Sequence, residues 1–217
     1  MIDALKKISS PSVANAIETF NVRPRNQGNM SSEIRTLFTE LGPLVGYAVT
    51  AVIRAEPQPL EGHRASTFGW WDYVLSIPAP RVIVVHDLDE PRGQGAQWGE
   101  VQANIHKALG CLGVVTNGSI RDIPMIAPGF QMLAGSLSPS HAYTHVEDFG
   151  IPVTVHGMKV NSGDLIHADQ HGAVVVPLEI IPKMKAALDD LNAREARIIK
   201  AAKEVGTVEA IKAALKG

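Results

Sequence analysis

The sequence predicts an α/β fold built on a largely parallel sheet that is covered on both faces. Three observations carry this reading. RVIVVHD (81–87) and LGVVT (112–116) are short, nearly all-apolar runs, the pattern of strands buried on two sides. Between them lie a glycine-bearing loop, EPRGQGAQWG, and a helical stretch from about Glu100 to Leu109, which together make a strand–loop–helix–strand unit of the βαβ kind. After Asp122 the pattern changes to short strand-like runs separated by turns. A chain of 217 residues has the length of one compact domain, so 1–217 is read as a single domain with a helical segment from about Leu178.

The elements follow in order. Ser10 and Pro11 have the character of an N-cap and a first-turn proline, introducing a helix through SVANAIETF that stops near Asn21. NVRPRNQGNMSS is polar and turn-rich, hence a loop. VGYAVTAVI is rich in β-branched residues and reads as a strand, closed by the proline-bearing AEPQPLEG. FGWWDYVLSI is helical, with Trp70 and Trp71 as core and subunit-contact residues, and Pro78 and Pro80 end it. QMLAG, IPVTV, MKV, DLIHA and GAVVVP are spaced as hairpins of a mostly antiparallel layer. From Leu178 onward apolar residues recur at helical spacing between charges, a long amphipathic helix, and Thr207 caps a further short one.

Composition narrows the functional classes. Hydrophobic residues are 45% and charged residues 19% of the chain, an ordinary globular balance. The formal net charge of -2 lacks the basic excess of a phosphate-neutralising protein and argues against nucleic acid as partner. Cys111 is the single cysteine, so an internal disulfide and a cysteine-rich zinc site are both impossible. MIDALKKISS lacks the apolar core of a signal peptide, and no stretch reaches the roughly 18 apolar residues a membrane span needs. The expectation is a cytoplasmic protein with no membrane partner.

Residues 98–122, WGEVQANIHKALGCLGVVTNGSIRD, carry the densest chemistry. Gly99 directly precedes a predicted helix, so the amides of Glu100, Val101 and Gln102 would lack helical partners and could receive a carboxylate; a plain loop entering a helix is the structural alternative. Asn117 and Gly118 follow LGVVT, with Arg121 and Asp122 just beyond, where open α/β sheets place ligands. An arginine holds a carboxylate through paired hydrogen bonds, and an aspartate offers a hard oxygen to Mg²⁺ or Mn²⁺. Taken alone, an adjacent Arg-Asp pair is more often a surface turn.

Gly99-Glu100, Gly113, Asn117-Gly118 and Arg121-Asp122, taken together, resemble the RraA-like family. That family includes class II 4-hydroxy-4-methyl-2-oxoglutarate/4-carboxy-4-hydroxy-2-oxoadipate aldolases and the regulator of ribonuclease E activity. PLVGYAVTA and RVIVVHD resemble its early strands, and IPVTVHGMKVNSGDLIHADQHGAVVVP resembles its later segment. The resemblance implies a three-layer β/β/α swivelling-domain fold, assembled as a homotrimer or a dimer of trimers. It also implies that Arg121 holds the pyruvyl group and that Asp122 binds Mg²⁺ or Mn²⁺, partly through water. Gly99, Glu100, Val101 and Gln102 then match the loop that receives the substrate carboxylate, with Glu100 positioning metal-bound water and an unassigned acidic residue coming from a neighbouring subunit. The chain departs from the usual pattern at Asn117, where the family has Asp and the local charge changes by one unit. It departs also at Ser162, where Pro is usual, and at Asn15 in the early helix.

The implied activity is a divalent-metal aldolase or lyase that cleaves a 4-hydroxy-2-oxo acid to pyruvate, with oxaloacetate decarboxylation as a second activity. Cleavage beside a 2-keto group leaves a pyruvate enolate, whose charge a Lewis-acid metal and Arg121 can stabilise. Lys107, the one lysine between Gly93 and Asp122, lies beyond the first turn of its helix, which disfavours a Schiff base. The competing readings are a non-catalytic regulator of RNA turnover and a lyase on a sugar acid, the latter kept open by Asn117. His141 and His145 have an H-x-x-x-H spacing without the glutamate of a zinc protease motif, and SLSPSHAYTH does not read as helix. His167, Asp169 and His171 are expected in a solvated turn. PRGQGAQWG fits neither a dinucleotide-binding nor a P-loop pattern.

Overall fold

A computed structural model describes residues 2–31, 33–60, 62 and 64–216. Met1, Ser32, Glu61, His63 and Gly217 lie outside them, so the loop over 21–32 and the break over 55–62 are followed at their remaining residues. The elements in chain order are α1 (Ile2–Leu5), α2 (Ser10–Glu18), β1 (Arg35–Thr36), β2 (Leu44–Arg54), α3 (Thr67–Ser76), β3 (Arg81–Asp87), β4 (Ala96–Trp98), α4 (Glu100–Ala108), β5 (Cys111–Ile120) and β6 (Gln131–Leu137). They continue with β7 (His145–Phe149), β8 (Val153–Val155), β9 (Met158–Val160), β10 (Leu165–Asp169), β11 (Gly172–Val176), α5 (Ile181–Glu204) and α6 (Val208–Lys216).

One large sheet runs in the order β1-β6-β5-β3-β2-β10-β11, with β4 also paired to β5 and β7 to β2. β2, β3, β5 and β6 are mutually parallel, while β1, β7, β10 and β11 join antiparallel. The apolar runs split by alternation between two cores. Val82 and Val84 of β3 enter one with Val115 and Leu133, against the β8–β9 hairpin residues Val153, Val155, Met158 and Val160. Ile83 and Val85 enter the other with Val114 and Met132, against Trp70 and Val74 of α3 and Ala103 of α4. Hairpin, sheet and helices are therefore the three layers of a β/β/α fold. A third cluster seats α2 and the start of α5 on β10 and β11 through Val13, Ile17, Val174, Met184 and Leu188. Among the described residues no helix is long and apolar enough to cross a membrane.

Several boundaries differ from the sequence reading. The cap of α2 is Ser9, whose hydroxyl accepts from the Ser12 amide, and that helix ends at Glu18. β6 is parallel to β5 and belongs to the main sheet, because an apolar run carries no information about strand direction. β5 extends through Asn117, Gly118 and Ser119 to Ile120, since these polar residues find partners inside the sheet. AQW is the strand β4, which takes the place beside β5 that β3 leaves after the Val85–Thr116 pair. His167 and Asp169 are buried: His167 Nε2 faces the Leu5 and Ile8 carbonyls, and Asp169 accepts from the Ser10 amide at 2.7 Å, tying the N-terminal segment to β10. The Thr207 cap holds, its hydroxyl accepting from the Ala210 amide.

Two buried polar contacts fix the layers around the site. Asn117 Oδ1 accepts from the Asp87 amide at 2.7 Å, and its Nδ2 donates to the Asp87 carbonyl at 3.0 Å. Asp87 in turn receives the amides of Asp89 and Gly93, which shapes the loop after β3. On the helical side His106 of α4 is 1% exposed; its Nδ1 donates to the Gln102 carbonyl and its Nε2 accepts from the Trp70 indole at 2.9 Å, locking α4 to α3. Burial drives its pKa down to about 4, so it is neutral at pH 7.

Asn117→Asp removes the donor to the Asp87 carbonyl and sets two oxygens face to face. Urea unfolding at pH 7 is expected to show a loss of about 1–3 kcal/mol, and an unchanged midpoint would contradict the pairing. For His106 the folded value lies below the ordinary 6.5, so the unfolded chain binds the extra proton. Its contribution is present above pH 6.5 and is lost as pH falls toward 4, up to about 3 kcal/mol. In His106→Gln the fall of melting temperature between pH 7 and pH 4.5 should be shallower than in the unsubstituted protein; equal slopes would contradict the assignment.

Candidate active site

The site is assembled by the β4–β5 pairing. Trp98 pairs with Ile120, and the Arg121 amide donates to the Trp98 carbonyl at 2.8 Å, so Gly99 and the mouth of α4 arrive beside Arg121 and Asp122. Asp122 adopts the left-handed conformation (φ 57), one that aspartate tolerates better than most residues. This turns the chain sharply out of β5. Its Oδ2 accepts from the Glu100 amide at 3.3 Å and lies 3.5 Å from Arg121 Nε. Among the described residues Oδ1 of Asp122 has no hydrogen-bond partner.

Gly99 is required here by space. Its backbone is extended, as any residue could be, but a Cβ would stand 2.5 Å from Asp122 Oδ2 and 3.0 Å from Arg121 Cγ. Gly99 caps α4 with no side-chain bond, so the first-turn amides of Val101 and Gln102 have no intrahelical partners. The sequence predicted three such amides. One of them, that of Glu100, is already occupied by Asp122.

These residues line a cleft of about 370 Å³. Gly99, Val101, Gln102, Arg121 and Asp122, all singled out from the sequence, are brought together on one wall. The side chain of Glu100 is exposed and Glu100 is not among the lining residues, so its contribution in this structure is its amide. The remaining walls come from distant segments: Arg64 and Ala65 before α3, Trp70 and Trp71 of α3, Gln97 of β4, His141 and Thr144 before β7, and His145 and Val146 at its start. Trp70 and Trp71 are thus cleft residues as well as core. Sequence reasoning missed Arg64, Gln97 and Thr144 altogether, since nothing local marks them; Gln97 and Thr144 are joined by a 2.6 Å hydrogen bond.

Among the described residues the histidines are not gathered into a three-ligand cluster. His141 and His145 share the cleft but sit on a turn and a strand, and no cluster of three metal-ligating side chains occurs among the described residues. Both nitrogens of His145 are engaged, Nδ1 by the Tyr143 carbonyl at 2.7 Å and Nε2 by Glu147 at 3.1 Å. Asn117 is buried behind the cleft and is not part of its lining, so the exchange of Asp for Asn leaves the charge of the lining unchanged. Lys107 binds the Pro128 carbonyl at the far end of α4, and no lysine lines the cleft among the described residues. Cys111 is buried and its thiol is pushed up to about 12, which removes it as a nucleophile at neutral pH.

A divalent cation of the Mg²⁺ type suits this donor set. Such ions take one or two protein carboxylates and fill the other positions with water or substrate oxygens. Asp122 supplies one carboxylate with a free oxygen, oriented by the helix mouth and by Arg121.

Comparison with known proteins agrees with the architecture. The solved structure of an uncharacterized protein from Pseudomonas syringae pv. tomato superposes with a TM-score of 0.74 at 22% identity, over 98% of this chain and 92% of that one. RraAS2 of Streptomyces coelicolor, described as an unusual member of the RNase ES inhibitor RraA protein family, superposes with a TM-score of 0.67 at 22% identity, over 90% and 91% of the two chains. At these identities the likeness is one of fold. The "Putative 4-hydroxy-4-methyl-2-oxoglutarate aldolase" of Halalkalibacterium halodurans is 30% identical over 106 residues, 46% of this chain and 50% of that protein. Two further curated relatives are matched over 23% and 61% of their lengths, so this chain spans less than two thirds of each of the three. Residues 10–175 match the family model described as RraA-like, Aldolase/RraA, and the chain belongs to the RraA-like family.

Proposed function

We propose that the cleft is the active site of a divalent-metal-dependent lyase that cleaves a 4-hydroxy-2-oxo acid of the 4-hydroxy-4-methyl-2-oxoglutarate kind to pyruvate, with oxaloacetate decarboxylation as a second activity. The observation that carries it is the seating of Arg121 and Asp122 against the mouth of α4, where cationic fork, carboxylate and unpaired amides meet within one cavity. The 30% identity to a protein bearing the aldolase name supports the same reading.

Each group has a task. The Val101 and Gln102 amides, at the positive end of the helix, receive the substrate carboxylate. Arg121 places a fixed positive charge beside the 2-keto oxygen, where negative charge develops as the bond between C3 and C4 breaks. A bound divalent ion held by Asp122 would add Lewis-acid withdrawal of electrons from the keto and carboxylate oxygens. Trp70, Trp71 and Val101 give the cleft an apolar lining that raises the strength of these charges. Decarboxylation of oxaloacetate needs the same charge stabilisation and no further group.

Pyruvate release from a panel of hydroxy-oxo acids and oxaloacetate, with Mg²⁺ or Mn²⁺ and with EDTA, tests this. Turnover should vanish on chelation and return with metal, and Arg121→Ala should lower kcat/KM by about 10²–10³. Absence of turnover on every member would contradict the enzyme reading. It would favour the second class in the family, a binding module that regulates RNA turnover, the reading supported by the likeness to RraAS2.

A further inference from the structure

The cleft wall at 140–144 is held in fixed register with the helix mouth. The Ala96 amide donates to the Ser140 carbonyl, Tyr143 to the Ala55 carbonyl, and Thr144 Oγ1 to Gln97 Oε1. Gly95 permits this closeness, since a Cβ there would lie 2.5 Å from the His141 carbonyl oxygen. Ala142 is held at φ 46, a conformation uncommon for alanine, and its carbonyl lies 2.7 Å from His141 Nδ1. A carbonyl only accepts, so in the neutral ring Nδ1 carries the hydrogen and Nε2 carries the lone pair.

Among the described residues, the titratable side chains lining the cleft are Arg64, Arg121, Asp122, His141 and His145. The arginines cannot accept a proton. Asp122 Oδ2 is engaged by the Glu100 amide and Arg121 and its Oδ1 is the oxygen offered to the divalent ion, while both nitrogens of His145 face protein oxygens. His141 Nε2 has no protein partner among the described residues. Resting on the lyase reading above, we propose that His141 is the general base that deprotonates the C4 hydroxyl of the substrate.

The step balances as follows. Nε2 takes the hydroxyl proton, the C4–O bond becomes a carbonyl, the C3–C4 bond breaks, and its electron pair moves onto C3 and the 2-keto oxygen. C3 then takes a proton from water, and the imidazolium returns one to the resulting hydroxide, leaving pyruvate and the carbonyl product. Oxaloacetate loses carbon dioxide to the same enolate without any hydroxyl to deprotonate. The two reactions therefore separate the base from the rest of the site.

The test measures both reactions in the full chain with Mg²⁺ for the unsubstituted protein, His141→Ala and His141→Gln, with the fold checked by circular dichroism. Glutamine keeps a donor for the Ala142 carbonyl but offers no base. The ratio of retro-aldol cleavage to oxaloacetate decarboxylation should fall about 100-fold or more in both variants, and added imidazole should raise it again in His141→Ala. An unchanged ratio in well-folded variants overturns the assignment of His141 alone. No turnover of either substrate by the unsubstituted protein overturns the lyase reading and this assignment with it.

Discussion

The site depends on a carboxylate seated at the start of a helix. Asp122 Oδ2 takes the first amide of α4, and the same oxygen lies beside Arg121 Nε, so one contact sets the direction of both functional side chains. The helix mouth and the guanidinium both attract the carboxylate and hold it in place. With Oδ2 so engaged, Oδ1 is left for the cleft. Gly99 is the steric condition of this arrangement, because any side chain would occupy the space that the Asp122 carboxylate fills.

The sheet supplies the scaffold that makes the contact possible. β3 runs beside β5 for part of its length and then gives way to β4, and the intervening loop is fastened by Asp87, Asp89 and Asn117. Asp89 binds the Ala55 and Glu56 amides and approaches Arg54, which approaches Glu147, the partner of His145. A chain of alternating charges thus links the end of β2 to the cleft wall at β7. On the opposite side Trp70 and His106 hold α3 and α4 together, so the cleft is bounded by elements that are each tied to another by a buried polar contact.

What the sequence made legible, and what it did not, follows from the range of the interactions. Gly99-Glu100 and Arg121-Asp122 were readable because a helix start and a strand exit have local signatures, and the resemblance to the RraA-like family singled them out from ordinary turns. The two all-apolar strands were readable because both faces are buried. Asn117 to Ser119 looked like a loop because their polarity is satisfied by Asp87, Ser136 and Gly93, partners remote in the chain. β4 is three residues long and exists through its register with β5, which no local pattern encodes. The cleft wall from Arg64, Gln97, His141 and Thr144 is a tertiary product for the same reason. His106 carries no local signal, because its burial against two tryptophans is set by how α4 lies on the sheet.

The proposed site requires Arg121, Asp122 and the α4 mouth to bind a planar keto-acid dianion together. Oxalate has the shape and charge distribution of the pyruvate enolate, and Trp70 and Trp71 line the cleft that would hold it. Titrating oxalate into the protein with Mn²⁺, followed by indole fluorescence, should give saturable binding that weakens at least about tenfold in Asp122→Asn, the loss of one charge-assisted contact of about 1.5–3 kcal/mol. Equal affinity in the two proteins, or no saturable change in either, would contradict it.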